Sequence, residues 1–379
     1  MRARPRLHPE GMFHNSTGGP SGIPVVERET CWQRRDSLRI KGESRVRVLI
    51  TGGTGMAGSH LADLLLSNGH EVAITARPRS RMANIAHLFG QVAIHIVDVR
   101  SAGAVDALIR QGEYDWIFHL AAQSSVPISW AMPDDTLQTN VVGTSNVLEA
   151  VRRWSPHTVV HVAGSSEEYG RVHSHEVPIR EVQPFRPLSP YAVSKIAQEH
   201  LAFQYAASYG LCTCVTRAFN HEGPRRWETS APVSFASQIA DIEAGAFPPV
   251  IRVGNLDAVR DYLDVRDVVR AYVLVVQQRI VQPVNICCGH GWTIGEVLKL
   301  LLSLSKVQIT VETDASRLRP SDVPILIGDG SLLRGLADWR PEIPFEQTLE
   351  VILRERRDVR RSRAASDHGS ESNLPSASA

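Results

Sequence analysis

The sequence predicts a doubly wound, parallel α/β sheet with a smaller C-terminal α/β region, on three observations. From residue 46 onward, short β-branched runs alternate with helical patterns, the order that builds a parallel sheet covered on both faces. A glycine-rich turn stands directly between the first such run and the first helical pattern. At 379 residues the chain is long enough for a sizeable core in one large or two modest domains.

Composition narrows the function by exclusion. Lys and Arg number 41 and Asp and Glu 40, so no global field draws nucleic acid or an acidic membrane. The longest apolar run, around Val268 to Val276, is broken by Arg270 and is too short to span a bilayer. The five cysteines are odd in number and lack metal-site spacing. They read as buried thiols in a reducing cytoplasm, with no metal implied.

Residues 1–44 mix Pro, Gly, Ser and Arg without apolar periodicity. Glu10, Glu27 and Glu29 argue against a transit peptide, and no apolar core marks a signal peptide. The segment is expected to be a disordered extension, or to follow from an upstream start codon misread as the real one.

Order begins with the buried-strand run Val46 to Ile50. Gly52, Gly55 and Gly58 follow in a GxxGxxG turn, with Met56 inside it, and a helical pattern runs from Ser59 to Leu66. Glycines let the backbone approach a pyrophosphate, and the helix N-terminus offers free N–H groups and a positive dipole end. A second strand, Glu71 to Ala76, lacks the acidic residue that would bind the ribose hydroxyls of NAD. Arg77, Arg79 and Arg81 stand there instead, which favours the 2′-phosphate of NADP(H), with NAD(H) possible and a solvated basic loop the alternative.

A third strand, Val92 to Val97, ends at Asp98, which either accepts from an adenine amino group or caps the next helix; Val99 follows it. A fourth, Asp115 to Leu120, runs into Ala121-Ala122-Gln123, small residues that let a cofactor lie against the strand end. A long helical pattern spans about 134–153 and carries Asn140, structural or holding a water in a proton path. The fifth strand, Thr158 to Ala163, ends near Ser165, where open α/β sheets bind ligands.

The stretch Ser189-Pro190-Tyr191-Ala192-Val193-Ser194-Lys195 reads as a helix start, with Ser189 at the N-cap and Pro190 at the first helical position. Tyr191 and Lys195, four apart, share one face. A nearby ammonium favours the phenolate, so the pair can pass a proton to or from a substrate oxygen. A sixth strand spans Cys212 to Arg217. Beyond Phe219 a polar stretch, Asn220 to Arg226, leads into mixed short strands and helices. Arginines there, among them Arg252, Arg260, Arg266, Arg317 and Arg319, could clamp a diphosphate. The expected organisation is a Rossmann-like dinucleotide-binding domain at 45–220 and a substrate-binding region at 221–355, segments of which return to the first domain. A disordered tail is expected at 356–379.

The glycine-rich turn, the strand-end serine and YxxxK together resemble the extended short-chain dehydrogenase/reductase superfamily (the NAD-dependent epimerase/dehydratase family) across residues 45 to 355. Longer matches narrow the resemblance to the branch acting on GDP-sugars: HLAAQSSVPISW at 119–130, GSSEEYG at 164–170, PFRPLSPYAVSK at 184–195, TRAFNHEGPRR at 216–226, VGNLDAVRDYLDVRDVV at 253–269 and RPSDVPILIGD at 319–329. Members of that branch either dehydrate GDP-mannose or reduce the C4 ketone so formed. YLDVRD at 262–267, RPSDVP at 319–324 and Ser165 resemble the reductase, which makes GDP-D-rhamnose; Glu167 aligns with the C5 base of the dehydratase.

The resemblance implies roles. Ser165, Tyr191 and Lys195 are catalytic, with Glu167 beside them. Gly52, Gly55, Met56, Gly58, Arg77, Asp98, Val99, Leu120, Ala121, Ala122, Tyr191 and Lys195 bind the cofactor. Ser124, Asn220, Arg225, Arg260 and Arg319 contact the GDP-linked sugar. Relatives pair two helices per subunit, here those at 134–153 and 190–209, so a homodimer is implied. A non-catalytic sensor would be expected to have a damaged triad, and this triad is intact.

Overall fold

The computed structural model describes residues 45–227, 230–317 and 323–371. The expected N-terminal extension, the last eight residues of the expected tail, and Arg319 therefore lie outside the described residues.

The first half runs β1 (Arg47–Thr51), α1 (Met56–Ser67), β2 (Glu71–Ala76), β3 (Ala93–Ile96), α2 (Ala102–Gly112), β4 (Trp116–His119), α3 (Val126–Ala131), α4 (Pro133–Leu137), α5 (Gly143–Trp154), β5 (Val159–Ser165), α6 (Pro190–Tyr209) and β6 (Cys212–Ala218). The second runs β7 (Asn220–Glu222), α7 (Ala231–Glu243), β8 (Val250–Val253), β9 (Val259–Asp264), α8 (Val265–Gln277), β10 (Val284–Ile286), β11 (Gly291–Thr293), α9 (Ile294–Ser303), β12 (Thr310–Thr313), β13 (Ile325–Leu326), α10 (Ser331–Ala337) and α11 (Phe345–Glu371).

Seven parallel strands form the main sheet in the order β10-β6-β5-β4-β1-β2-β3. The order reverses between β1 and β4, and open α/β sheets bind ligands in the crevice at such a point. Side chains alternate across the sheet. Val48 and Ile50 of β1 pack with Leu61 and Leu65 of α1 and Val268 of α8. Leu49, from the same strand, packs with Val105 of α2 and Leu148 of α5 on the other face. Each such fully buried aliphatic contributes roughly 1.5–3 kcal/mol.

The C-terminal region has its own core, in which Phe235 of α7, Val297 of α9 and Leu349 of α11 enclose Ile251 and Tyr262. It is not one contiguous block of sequence, because α8 and β10 return to the main sheet.

Three expectations are corrected. The long helix at 134–153 is interrupted: a π turn, Gln138–Val142, joins α4 to α5 and carries the buried Asn140. Helix α11 continues past residue 355, where disorder was expected. Arg357 anchors it to Glu243 (2.7 Å) and the Leu304 carbonyl (2.8 Å), and Arg360 faces Asp241 (3.4 Å). Cys288 is exposed, in the connection between β10 and β11; Cys212, Cys214 and Cys287 are buried as expected.

Candidate active site

A cleft of about 850 Å³ opens at the switch point, floored by the strand ends of the main sheet and walled by the C-terminal region. Its volume lies in the upper range of small-molecule and cofactor pockets.

The glycine-rich turn forms one end. Gly52 has φ +73°, and a Cβ there would come within 2.9 Å of the Ala121 backbone. A Cβ on Gly58 would lie 2.4 Å from the Gly52 carbonyl. Both positions therefore require glycine if the turn is to stay closed. Gly55 is the N-cap of α1 and supplies no side-chain cap, so the first N–H groups of that helix face the cleft for a ligand to satisfy. Gly52, Gly55, Met56 and Gly58 line this end, with Leu120, Ala121 and Ala122 opposite. A pyrophosphate-bearing cofactor fits such a cradle.

Arg77 is exposed at the end of β2 and lines the cleft with Ser80, whose hydroxyl accepts from the Arg77 N–H (2.9 Å). Arg81 is turned away and stacks on Trp227, 3.5 Å from the ring centre. Val99 lines the cleft, but both Asp98 oxygens are held by Arg100 (2.6–3.0 Å). That pairing keeps the Asp98 carboxyl below its ordinary range and gives the side chain a structural partner.

Ser165, Tyr191 and Lys195 meet at the centre of the cleft. Helix α6 begins as expected: the Ser189 hydroxyl accepts from the Ala192 N–H (3.1 Å), and Pro190 occupies the first turn. The Ser165 hydroxyl and the Tyr191 phenol, which is 8 % exposed, line the cleft close enough to interact. Burial pushes the phenol above its usual value, the Ser165 hydroxyl opposes this, and the Glu167 charge pushes it further up. The expected lowering by Lys195 is not found, because burial outweighs it. The Lys195 amine donates instead to the Ala163 carbonyl (2.9 Å), and burial brings it down to about 8.

Beneath Ser165 lies a buried acid pair. Glu168 accepts from the Ser165 N–H (2.7 Å), while Glu199 of α6 is bound by Arg217 of β6. Burial, then the charge of Glu199, raises the Glu168 carboxyl well above its ordinary range. The S-x-x-E spacing of Ser165 and Glu168 is that of a capping box, which accounts for their local bond; Glu199 and Arg217 are distant in sequence and gave no signal.

Of the expected sugar-nucleotide contacts, Ser124, Asn220 and Arg260 line the cleft. The Asn220 amide oxygen is buried without a hydrogen-bond partner, and Arg260 donates to its neighbour Val259 (2.9 Å). Arg225 does not line the cleft: its positive φ of 67° turns it onto Asp63 (2.7 Å). Arg317, one of the expected diphosphate clamps, lines it as well, and so do Arg226, Ser230, Asn255 and Phe235 of α7, which no local pattern foretells. Among the described residues no group of His, Cys, Asp or Glu could hold a metal ion, and no helix is long and apolar enough to cross a membrane.

The GDP-mannose 4,6 dehydratase family profile matches residues 49–352. A GDP-6-deoxy-D-mannose reductase of Pseudomonas aeruginosa is 32% identical over 309 residues, covering 81% of this chain and 96% of that protein. A GDP-mannose 4,6-dehydratase of Vibrio cholerae is 31% identical over 346 residues, covering 80% and 92%. The structure of RMD from Pseudomonas aeruginosa, complexed with NADPH, superposes with a TM-score of 0.72 at 30% identity, covering 83% of this chain and 99% of that chain. A UDP-glucose 4-epimerase of Thermus thermophilus, in complex with NAD, gives 0.74 at 30% identity, covering 82% and 99%. A nicotinamide cofactor suits a cleft built this way, and matches of this extent make the chain an enzyme of the GDP-mannose 4,6-dehydratase family, within the extended short-chain dehydrogenase/reductases.

Proposed function

We propose that the protein reduces the C4 ketone of GDP-4-dehydro-6-deoxy-D-mannose to GDP-D-rhamnose, with NADPH preferred over NADH. The observation that carries this reading is the Ser165–Tyr191 pair with its buried phenol. A phenol is protonated at neutral pH, and burial strengthens that preference, so Tyr191 can stand as the acid that a ketone reduction needs.

The bound nicotinamide supplies hydride to C4. Tyr191 delivers its proton to the developing alkoxide, and the Ser165 hydroxyl donates to the same oxygen as charge grows. Lys195 places a cation at the site. The cleft-facing Arg77 supports the preference for a 2′-phosphate, and Arg260 and Arg226, the latter paired with Glu222 (3.1 Å), line the cleft where this reading puts the substrate diphosphate. The same reading has the enzyme working in the cytoplasm as a homodimer, joined through α5 and α6, which expose Trp154, Val193 and Tyr209.

The YLDVRD segment contributes Tyr262 to the cleft wall. Its other polar residues brace the fold: Asp264 caps α8 and accepts from Thr348 (2.8 Å), and Asp267 accepts from Glu342 and Ile343.

One observation favours a second reading, 4,6-dehydration of GDP-mannose: Glu167 lines the cleft within electrostatic reach of Tyr191. The purified protein is given GDP-mannose alone, then the 4-keto-6-deoxy sugar nucleotide with NADPH. Stoichiometric NADPH loss with the second substrate only supports the reductase. Conversion of GDP-mannose without added reductant promotes the dehydratase, and Glu167→Gln should then abolish it.

A further inference from the structure

We propose that His119 is a positioning residue that locks the cofactor-seating strand ends to the catalytic helix, as a neutral imidazole carrying its proton on Nε2. The proposal rests on the nicotinamide-dependent reading of the cleft, whichever sugar reaction follows.

His119 is the last residue of β4 and pairs across the sheet with Thr51, the last of β1. It is 1 % exposed, and both ring nitrogens are engaged. Nδ1 lies 2.8 Å from the Thr51 hydroxyl and Nε2 lies 3.0 Å from the Thr144 hydroxyl. The proton positions follow from counting. Thr144 sits on α5, and its hydroxyl is 2.6 Å from the Asn140 carbonyl. A carbonyl can only accept, so the one Thr144 proton is spent there. Its oxygen must then accept from its other two partners, the Gln198 amide (2.6 Å) and His119 Nε2. Nε2 therefore carries the hydrogen, and in the neutral ring Nδ1 is an acceptor.

The other side closes consistently. The Thr51 hydroxyl accepts from the Leu120 and Ala121 N–H groups, 3.2 Å each, and its own proton points to Nδ1. Ala121 is the backbone against which Gly52 closes, so Thr51 fixes both sides of the cofactor turn.

On the catalytic side the chain continues to α6. The Asn140 amide donates to the Ser194 hydroxyl (2.8 Å), which donates to the Tyr191 carbonyl (2.7 Å). Gln198 is on the same helix. One hydrogen-bonded path thus runs from the cofactor cradle, through His119, to the turn bearing Tyr191 and Lys195. Burial and the nearby Lys195 charge keep the imidazole neutral, with its pKa down at about 3. An imidazolium would present a donor to each hydroxyl and leave the Thr51 proton without an acceptor.

The two halves can be separated by substitution. Asn places an amide near Nδ1 and keeps an acceptor for Thr51; Gln reaches the Nε2 position and keeps a donor for Thr144. His119→Asn should bind NADPH within about twofold of wild type, followed by fluorescence titration, and should lose turnover. His119→Gln should weaken NADPH binding by roughly tenfold, the scale of one buried hydrogen bond, and keep more of the turnover of saturated enzyme. Equal losses of affinity and turnover in both variants would overturn the proposal. Histidine-selective 15N labelling of the wild type gives an independent reading, for which neither variant need fold. A long-range proton–nitrogen spectrum should assign His119 as the Nε2–H tautomer, unchanged to pH 5, and an Nδ1–H tautomer would overturn the assignment. Neither binding nor spectrum needs a sugar substrate, so a failure of the reductase reading leaves both results interpretable.

Discussion

The Lys195 amine caps the Ala163 carbonyl at 2.9 Å and stands 5.7 Å from the centre of the Tyr191 ring. One turn of α6 thus puts a cation beside a buried phenol. Lysine reaches the strand end, tyrosine reaches the cleft, and Ser165 completes the contact from β5.

Tyr191→Phe should retain NADPH affinity and lose turnover by about 10²–10⁴-fold, the contribution of one well-placed acid. Binding is read by fluorescence and turnover by NADPH consumption. Wild-type kcat in the variant would show that another group supplies the proton.

The pH dependence of kcat/KM should carry a falling limb near pH 8. Burial brings Lys195 from 10.5 to about 8, so its charge is present below that pH and lost above it. For stability the sign is opposite: the buried ammonium costs most below about 8, and the cost is relieved between about 8 and 10.5. Residual activity of Lys195→Arg should keep its charge, and the limb should move to higher pH. A limb that stays near pH 8 assigns the titration elsewhere.

Arg77→Asp should move preference from NADPH towards NADH, by removing a 2′-phosphate partner and adding a like charge. The ratio of kcat/KM for the two cofactors reads this directly. An unchanged ratio would shift attention to Arg79, which is exposed on the same loop.

Acid should destabilise the fold through its neutral histidines. His161 is fully buried, with Nε2 2.9 Å from the Thr216 hydroxyl and Nδ1 without a partner. Burial takes it from 6.5 to about 3, so the unfolded chain gains a proton below pH 6.5 that the folded chain refuses. His161→Phe keeps an aromatic ring against Phe118 and Tyr272. Chemical denaturation at several pH values should show the decline between pH 6.5 and 4 become shallower, by about 1.4 kcal/mol per pH unit.

Much of the sheet was legible because its signals are local. The strand at Glu71–Ala76 is bounded as the sequence implied, and Pro190 marks the start of α6. The glycine turn and YxxxK could be read because each needs residues within one turn of one another. The misses turn on which of several partners a side chain takes. Arg225 carries the same charge as Arg226, and only the loop conformation sends one to Asp63 and the other to the cleft. Asp98 was spoken for by Arg100, and Glu168 by Ser165 and by Glu199, 31 positions further on. His119 carried no signal, because its partners come from two other elements, β1 and α5.

The π turn at Gln138–Val142 has a consequence for chain length. It is a helical turn holding one residue more than an α turn. Loss of one residue inside it returns the turn to α geometry and leaves α4 and α5 in their present angular phase. Loss of one residue within α5 instead rotates everything beyond it by about 100°, carrying Leu148 and Val151 off the core. The segment can therefore be shortened without re-facing the helix. What goes with the extra residue is the bulge that seats Asn140 between Gln123 and Ser194.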